Sequence, residues 1–275
     1  MSFSKAADKL AISQGAVSKQ ILALEAQLGQ ALFTRQINGI ELTAAGKRYL
    51  PEVTHALQII QFSTAHLLQS NLDQEQLDID VTPSFASLWM IKNLDRYLDQ
   101  CPNTRVNLRT GDDAVKFDGT ETDITIRCRP ISDHYEYSTL LCKETLMLVG
   151  STQLLKQKPI TQHHHLVSHR FIPHLTRPEL WQQFKVDNHL EIDFHYHAIG
   201  YEHYYMSLSA VLNGSGLALI PDFMATNMLQ QGCITNPLGL KLESRYGYYI
   251  SVPHYKRDVR FVADMHDWLL ERFSS

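Results

Sequence analysis

Paired cysteines, long apolar runs and a strong net charge are all missing from this 275-residue chain. Its four cysteines, Cys101, Cys128, Cys142 and Cys233, are widely spaced and form no C-x-x-C pair. That argues against a disulfide framework or a cysteine metal site and fits reduced thiols in a cytoplasmic protein. No apolar run approaches the ~18 residues of a membrane span, and no signal-peptide pattern opens the chain, so no membrane partner is expected. G-x-S-x-G, H-E-x-x-H and phosphate-cradling glycine loops are absent too. Nothing therefore supports an enzyme, and neither catalytic residues nor a cofactor are expected. There are no repeats or low-complexity segments. With 44% hydrophobic and 20% charged residues, the composition suits a globular chain of two or three domains.

The small net charge of −4 conceals an asymmetry. Residues 1–48 carry six lysines and arginines against three acids, a charge of +3, which leaves −7 for the rest. A basic module on an acidic body fits a small nucleic-acid-binding head, although the excess is too modest to decide the matter alone.

The head's pattern is helix, turn, helix. Ser4–Leu10 reads as a short helix, Ala11-Ile12 as the turn, and Ser13 as the N-cap of a second helix. Val17, Ile21, Leu24 and Leu28 recur at steps of four, three and four, one apolar stripe. The opposite face carries Gly15, Lys19 and Leu22, flanked by Ala16 and Ser18. Small, polar and basic groups at the start of a second helix suit a major groove, where Ser13, Gln14, Ser18, Lys19 and Gln20 reach bases or phosphates. An amphipathic helix pair of this kind also occurs in proteins that never meet DNA. The next residues tilt the balance. Ala31–Arg35 and Ile40–Thr43 flank Asn38-Gly39, a hairpin signal because both turn residues tolerate positive φ. A hairpin after a recognition helix is a wing, and it places Arg35 near a phosphate or the minor groove.

Ser2–Ala7, Ser13-Gln14, Val17–Ile21, Leu24-Glu25, Leu28-Gly29, Leu32-Phe33, Arg35 and Leu42–Gly46 resemble the DNA-binding domain of LysR-type transcriptional regulators. Spacing and residue type agree through more than forty positions. Three departures stand out. The family has a further helix before the one that begins here at Ser4, so a head lacking that helix is expected, either through a misassigned start or a real truncation. Leu22 stands where the family often has a basic residue, and Gly15 where it often has proline. Glycine near a helix start costs up to ~1 kcal/mol but lets backbone approach DNA closely.

From Ala44 to Gln69 the chain reads as one long helix, with Leu50, Val53, Leu57, Ile60, Thr64 and Leu67 as a heptad seam and Pro51 bending it near its start. The seam suits pairing with a second copy; packing on its own domain is the competing reading. The resemblance implies pairing, as a homodimer or homotetramer on two half-sites of promoter DNA. Ser70–Glu75 is a polar hinge. Beyond it, strands at Leu77–Val81, Thr104–Arg109, Asp123–Arg127, Leu146–Val149, Tyr196–Ile199, Leu217–Ile220 and Gly247–Val252 alternate with helices at Leu88–Leu98, Tyr204–Leu212, Pro221–Leu229 and Val259–Phe273. This alternation predicts an α/β body with largely parallel sheets. Pro83–Ser87, Asp123–Arg127 and Gly214–Pro221 resemble the LysR-type effector domain, most closely the branch of the glycine-cleavage regulators. The likeness thins between Gln153 and Tyr196.

The resemblance implies a winged helix-turn-helix over 1–46, a linker helix and hinge over 47–76, and a two-lobed α/β, periplasmic-binding-protein-like effector domain over 77–275. Its first lobe is 77–149 with 251–275, and its second 150–250. In parallel sheets ligands gather beyond the carboxyl ends of strands, near free helix amides. That rule selects Thr82, Ser84 and Phe85, Thr110 with Gly111, and Arg127. In the second lobe Gly200-Tyr201-Glu202 follows a strand and would face the cleft, with Tyr201 as its site residue. The resemblance agrees and implies a small organic effector such as an amino acid or carboxylate. Ser84 as a mere helix cap and Arg127 as a mere ion-pair partner remain open. Nine of the fourteen histidines fall in residues 163–203. Adjacent imidazoles do not easily share an ion, so a solvated loop is expected there and no metal. The regulator reading stands beside two alternatives, a small-molecule-binding protein whose truncated head cannot bind DNA and an enzyme built on the two-lobed body.

Overall fold

A computed structural model describes residues 2–36, 39–69, 75–112, 122–135 and 137–274, with backbone alone for 35, 36, 55, 58, 62, 63 and 65–69. The chain forms two compact units, Met1–Leu72 and Asp73–Ser275. The predicted hinge lies mostly outside the described residues.

In the first unit, α1 (Phe3–Leu10) ends at Ala11, which takes the left-handed conformation (φ 53°) that turns the chain. Then α2 (Gln14–Leu28) begins on the N-cap Ser13, whose Oγ accepts from Ala16 N at 3.2 Å, and stops at left-handed Gly29. The strands β1 (Phe33–Gln36) and β2 (Gly39–Leu42) pair antiparallel as the expected hairpin, with Gln36 opposite Gly39. Its turn residue Asn38 lies outside the described residues. Glu25 ties the hairpin to α2, because its Oε1 accepts from Leu32 N (2.7 Å) and Phe33 N (3.0 Å). Leu32 O in turn lies so close to Gly46 that a Cβ there would meet it at 2.2 Å, so only glycine fits where α3 (Ala44–Gln69) starts. That helix runs unbroken through Pro51, as predicted in length. Ala7, Val17 and Leu32 form a small core. The stripe of α2 is only partly covered: Ile21 and Leu24 are half-buried and Leu28 is 40% exposed.

The second unit begins with β3 (Glu75–Val81), which lies parallel to both β4 (Thr104–Thr110) and β5 (Ile124–Pro130). Between β3 and β4 comes α4 (Pro83–Phe85), a π-turn over Ala86–Met90, and α5 (Ile91–Leu98). The π-turn shifts the helical phase, and Ile91 is 59% exposed while Met90 and Tyr97 are buried. Two long strands follow, β6 (Ser138–Ser151) and, near the end of the chain, β11 (Lys241–Ser251). Between them lie α6 (Thr152–Gln157), β7 (Arg170–Phe171), α7 (Leu180–Asp187), β8 (His195–Tyr196), α8 (Tyr204–Leu212), β9 (Ala218–Pro221), α9 (Asp222–Gln230) and β10 (Ile234–Thr235). The chain closes with α10 (Arg260–Phe273).

The main sheet has the order β10-β6-β11-β5-β3-β4, with β9 also on β6. The expectation of largely parallel sheets is corrected. Among the described residues the parallel strand pairings are those of β3 with β4 and β5 and the short β7–β8 pair, joined by single parallel bridges at Phe171–Leu217 and His174–Tyr201. The reason is the length of β6 and β11, which run antiparallel beside each other and link the β3–β5 lobe to the lobe of β9 and β10. Both parts share a continuous apolar core.

Candidate functional site

A cleft of about 390 Å³ opens in the second unit, where the ends of β3, β4 and β5 face segments 174–177 and 202–204. Its position follows from the parallel part of the sheet, since chains leaving adjacent parallel strands must part there. Thr82, Ser84 and Arg127 line it, as the sequence suggested, and so do Arg129, His174, Arg177 and Tyr204, which the sequence reading missed.

Three arginines dominate the chemistry. Arg127 Nη2 meets Asp80 Oδ2 at 2.7 Å, and its Nη1 donates to the carbonyls of Asp80 and Ile126. Arg177 is held by Glu144: Nη1 donates to Glu144 Oε2 at 2.6 Å and to Tyr204 Oη at 3.1 Å, while Nη2 donates to Cys128 Sγ at 3.0 Å. Its guanidinium also lies over the Tyr246 ring, 4.0 Å from the centroid. Glu144 is fully buried and accepts further from Ser244 Oγ (2.7 Å) and Tyr204 Oη (3.2 Å). A carboxylate at this depth persists only because these donors replace its water. Arg129 is different. It stacks on Tyr135 at 4.7 Å and, among the described residues, meets no carboxylate.

Burial works against the charge of Arg177, but Tyr204 and Glu144 hold its pKa above the ordinary range. Burial together with the Glu144 charge pushes the Tyr204 phenol and the Cys128 thiol upward, so both stay protonated. Burial, helped by Arg177 and His203, lowers His174 to about 4, leaving it neutral near pH 7. Burial also lowers the pKa of Arg129, tempered by Tyr135. At the cleft edge, His203 Nδ1 faces Asp112 Oδ2 at 3.5 Å, and Glu202 is exposed nearby. The arrangement can receive an anion at its arginines, with acids beside it for a cationic group.

Other sequence expectations land elsewhere. Phe85 is fully buried among Trp89, Phe223, Tyr248 and Phe273, so it belongs to the aromatic core and not to the cleft wall. Thr110 is exposed at the end of β4; the residue that reaches the cleft is Asp112, two positions on. Of the Gly200–Glu202 segment, Glu202 lines the cleft, whereas the Tyr201 side chain packs against the apolar core and its backbone bonds to Pro173 and Leu175. Ser84 is not the cap of its helix. Thr82 holds that place, and Ser84 Oγ accepts from Tyr205 N at 3.3 Å, joining α4 to the start of α8. Arg129 was within reach of the sequence, since it lies on the same face of β5 as Arg127, two residues on. Arg177 falls where the resemblance thins, and Glu144 had no motif to mark it.

In the first unit Ser13, Gln14, Gly15, Lys19 and Gln20 are exposed on α2, with Ala16 and Ser18 half-buried. The face expected to meet DNA is therefore open. Leu22 on the same face is 64% exposed. The Arg35 side chain lies outside the described residues. No group of three or more metal-ligating side chains is found among the described residues, and His165 Nδ1 instead lies 3.3 Å from Thr161.

Two family models match the chain, "Bacterial regulatory helix-turn-helix protein, lysR family" over residues 1–47 and "LysR substrate binding domain" over 70–274. The glycine cleavage system transcriptional activator homolog of Haemophilus influenzae is 30% identical over 273 residues, 98% of this chain and 89% of that protein. The effector domain of the regulator AmpR of Pseudomonas aeruginosa has the same fold over 73% of this chain and 96% of its own, at TM-score 0.61 and 18% identity. ArgP of Mycobacterium tuberculosis matches all of this chain and 92% of its own, at TM-score 0.59 and 18% identity. With an open recognition-helix face in one unit and an arginine-lined cleft in the other, the chain belongs to the LysR family of transcriptional regulators, with a DNA-binding helix-turn-helix head and an effector-binding body.

Proposed function

We propose that this regulator acts in the cytoplasm as a homodimer or homotetramer on promoter DNA, and that a small organic anion, an amino acid or carboxylate, fills the cleft and changes its DNA binding. The carrying observation is Arg129, a guanidinium in a 390 Å³ cleft with no carboxylate partner among the described residues. A cation left without its counter-charge in a partly dry site favours an anionic ligand. Thr82, Ser84, Arg127, Arg129 and Arg177 form the proposed effector set; Phe85, Thr110 and Tyr201 leave it. Asp112 and Glu202 sit where they would take the ammonium of an amino acid. Likeness to the Haemophilus protein along 98% of the chain supports a place beside the glycine-cleavage regulators and a role as activator.

In the head, Ser13, Gln14, Gly15, Ala16, Ser18, Lys19, Gln20 and Arg35 are the proposed DNA-reading residues. Leu50, Leu57 and Ile60, all more than 40% exposed on α3, support pairing of two copies along that helix. The test is binding of the full chain to its own promoter region, titrated against salt, without and with a panel of amino acids and small carboxylates. Sequence-selective binding whose affinity or footprint moves with one class of acid supports the proposal. Selective binding that no acid alters would refute the cleft assignment, and weak, sequence-blind binding would refute the head assignment.

A further inference from the structure

A second cavity, of about 350 Å³, lies in the second unit and shares no residue with the cleft. Lys158, His169, Arg170, His197, Ser215 and Gly216 are among its lining residues, and no acid is. Among the described residues neither Lys158 nor Arg170 has an ion-pair partner. His169 is 3% exposed, and its ring is hydrogen-bonded to the Lys158 backbone. Its Nε2 is buried with no partner among the described residues. Because the other ring nitrogen donates to the Lys158 carbonyl and burial lowers the ring's pKa, Nε2 is an acceptor that awaits a donor. Buried polar atoms are nearly always satisfied, so an orphaned ring nitrogen beneath a cationic cavity marks a missing polar group.

The cavity is built into the backbone. Gly216 packs against β7 so closely that a Cβ would meet Arg170 O at 2.4 Å, and Gly214 turns the chain at φ 76°. This fixes the 214–216 loop beside Arg170, whose carbonyl also accepts from Leu217 N. The Lys158 and Arg170 cations, the Ser215 hydroxyl and His197 surround one hollow, with His169 Nε2 as an acceptor. His197 Nδ1 accepts from Ile199 N, which leaves its Nε2–H to donate. Together they match a tetrahedral hydrogen-phosphate group, which accepts from several directions and donates from its P–OH. A planar carboxylate would use fewer of them. The volume exceeds what the ion alone needs and reaches the range of small-ligand pockets, ~300–1,000 Å³.

The geometry points to a second ligand site in this body, taking a phosphate group, free or on a small organic ester, between Lys158, Arg170, His169 and His197. It is independent of the acid-binding cleft and gives the regulator a second chemical input.

The test uses the full chain in thermal-shift and calorimetric titrations with inorganic phosphate, glycerol phosphate and acetate, at matched ionic strength. A ligand that binds only the folded state raises its melting temperature in a saturable way. Saturable stabilisation by inorganic phosphate or glycerol phosphate is expected, with affinity reduced at least ~10-fold by the exposed pair K158A/R170A, a change of ~1.4 kcal/mol. The cleft variant R129A should bind phosphate as the parent does, which separates failure of this site from failure of the cleft. Tighter binding of glycerol phosphate identifies an ester as the ligand, and tighter binding of inorganic phosphate the free ion; either supports the site. No saturable effect of either phosphate, an equal effect in K158A/R170A, or acetate binding as tightly as phosphate would each overturn it.

Discussion

Arg177 and Glu144 meet at 2.6 Å beneath the cleft, with side-chain exposures of 11% and 0%. The pair joins the loop before α7 to the middle of β6, the strand the two lobes share. Removing one partner of a buried pair leaves an uncompensated charge and typically costs about 3–5 kcal/mol. Glu144→Gln keeps the volume but not the charge, so urea unfolding of the full chain should show a loss in that range. The double replacement Glu144→Leu with Arg177→Met should recover more than half of it. A single variant as stable as the parent would show that the pair does not hold the cleft floor.

Arg129 should govern affinity without governing the fold, because it has no buried partner to abandon. Arg129→Ala is expected to leave the melting temperature of the unliganded chain within a degree or two. It should weaken whichever acid from the panel binds by about 10- to 100-fold, the loss of a charged hydrogen bond worth ~1.5–3 kcal/mol. Calorimetry on both proteins decides this, and equal affinities would move the acid group to Arg127 or Arg177.

His174 sets a pH dependence. Its pKa is lowered to about 4 in the folded state, by burial, Arg177 and His203, from about 6.5 unfolded. Between those values the unfolded chain binds the extra proton, so stability rises with pH. The contribution is complete above about pH 6.5 and is lost as pH falls toward 4. Cleft water screens the effect, leaving on the order of 1–2 kcal/mol in all. Denaturant unfolding at pH 7.5 and pH 5 should differ less in His174→Gln than in the parent, and identical differences would remove His174 as the cause.

What could be read in advance follows physical range. The span of α3, the cap Ser13, the hairpin after α2 and the helices α8, α9 and α10 depend on local spacing, capping and turn chemistry, and the sequence carries those directly. The direction of strand pairing does not. β6 and β11 are far apart in the chain, and nothing local says that they lie antiparallel. The cleft divides the same way. Arg127 and Ser84, which line the cleft, stand in recognisable motifs, Ser84 after β3 and Arg127 within β5, whereas Arg177 and Glu144 become one site only through a contact spanning 33 residues. Thr110 lies two positions from Asp112, which lines the cleft, the usual consequence of judging where a strand ends, and within Gly200–Glu202 it is Glu202 that reaches the cleft. Phe85 missed for a different reason: the residue after a strand end faces core as readily as cleft.

Lys19, exposed on the recognition helix, should act through charge. If it contacts a phosphate, Lys19→Ala weakens binding to all sequences alike and reduces the slope of log affinity against log salt by about one. Fluorescence anisotropy with the promoter site and an unrelated duplex at several salt concentrations measures both. Loss of binding at the promoter alone would assign Lys19 to a base instead, and unchanged affinity at both would remove it from the interface.

The described residues of the seam on α3 form an exposed apolar face of the first unit. Leu57 is 54% and Ile60 60% exposed, one helical turn apart and so on one face. Leu50 and half-buried Val53 continue that face toward the head. A carboxylate placed there would be desolvated in a paired helix but free in a single one, so Leu57→Glu penalises only the assembled state. Sedimentation should show the parent as a dimer or larger and Leu57→Glu shifted toward monomer. Since two half-sites need two heads, the variant should also lose promoter affinity by at least ~100-fold while keeping weak binding to any duplex. Glu52→Gln, on the same exposed helix but off the seam, should change neither property. An unshifted Leu57→Glu would place the contact between copies elsewhere in the chain and leave the α3 face to some other partner.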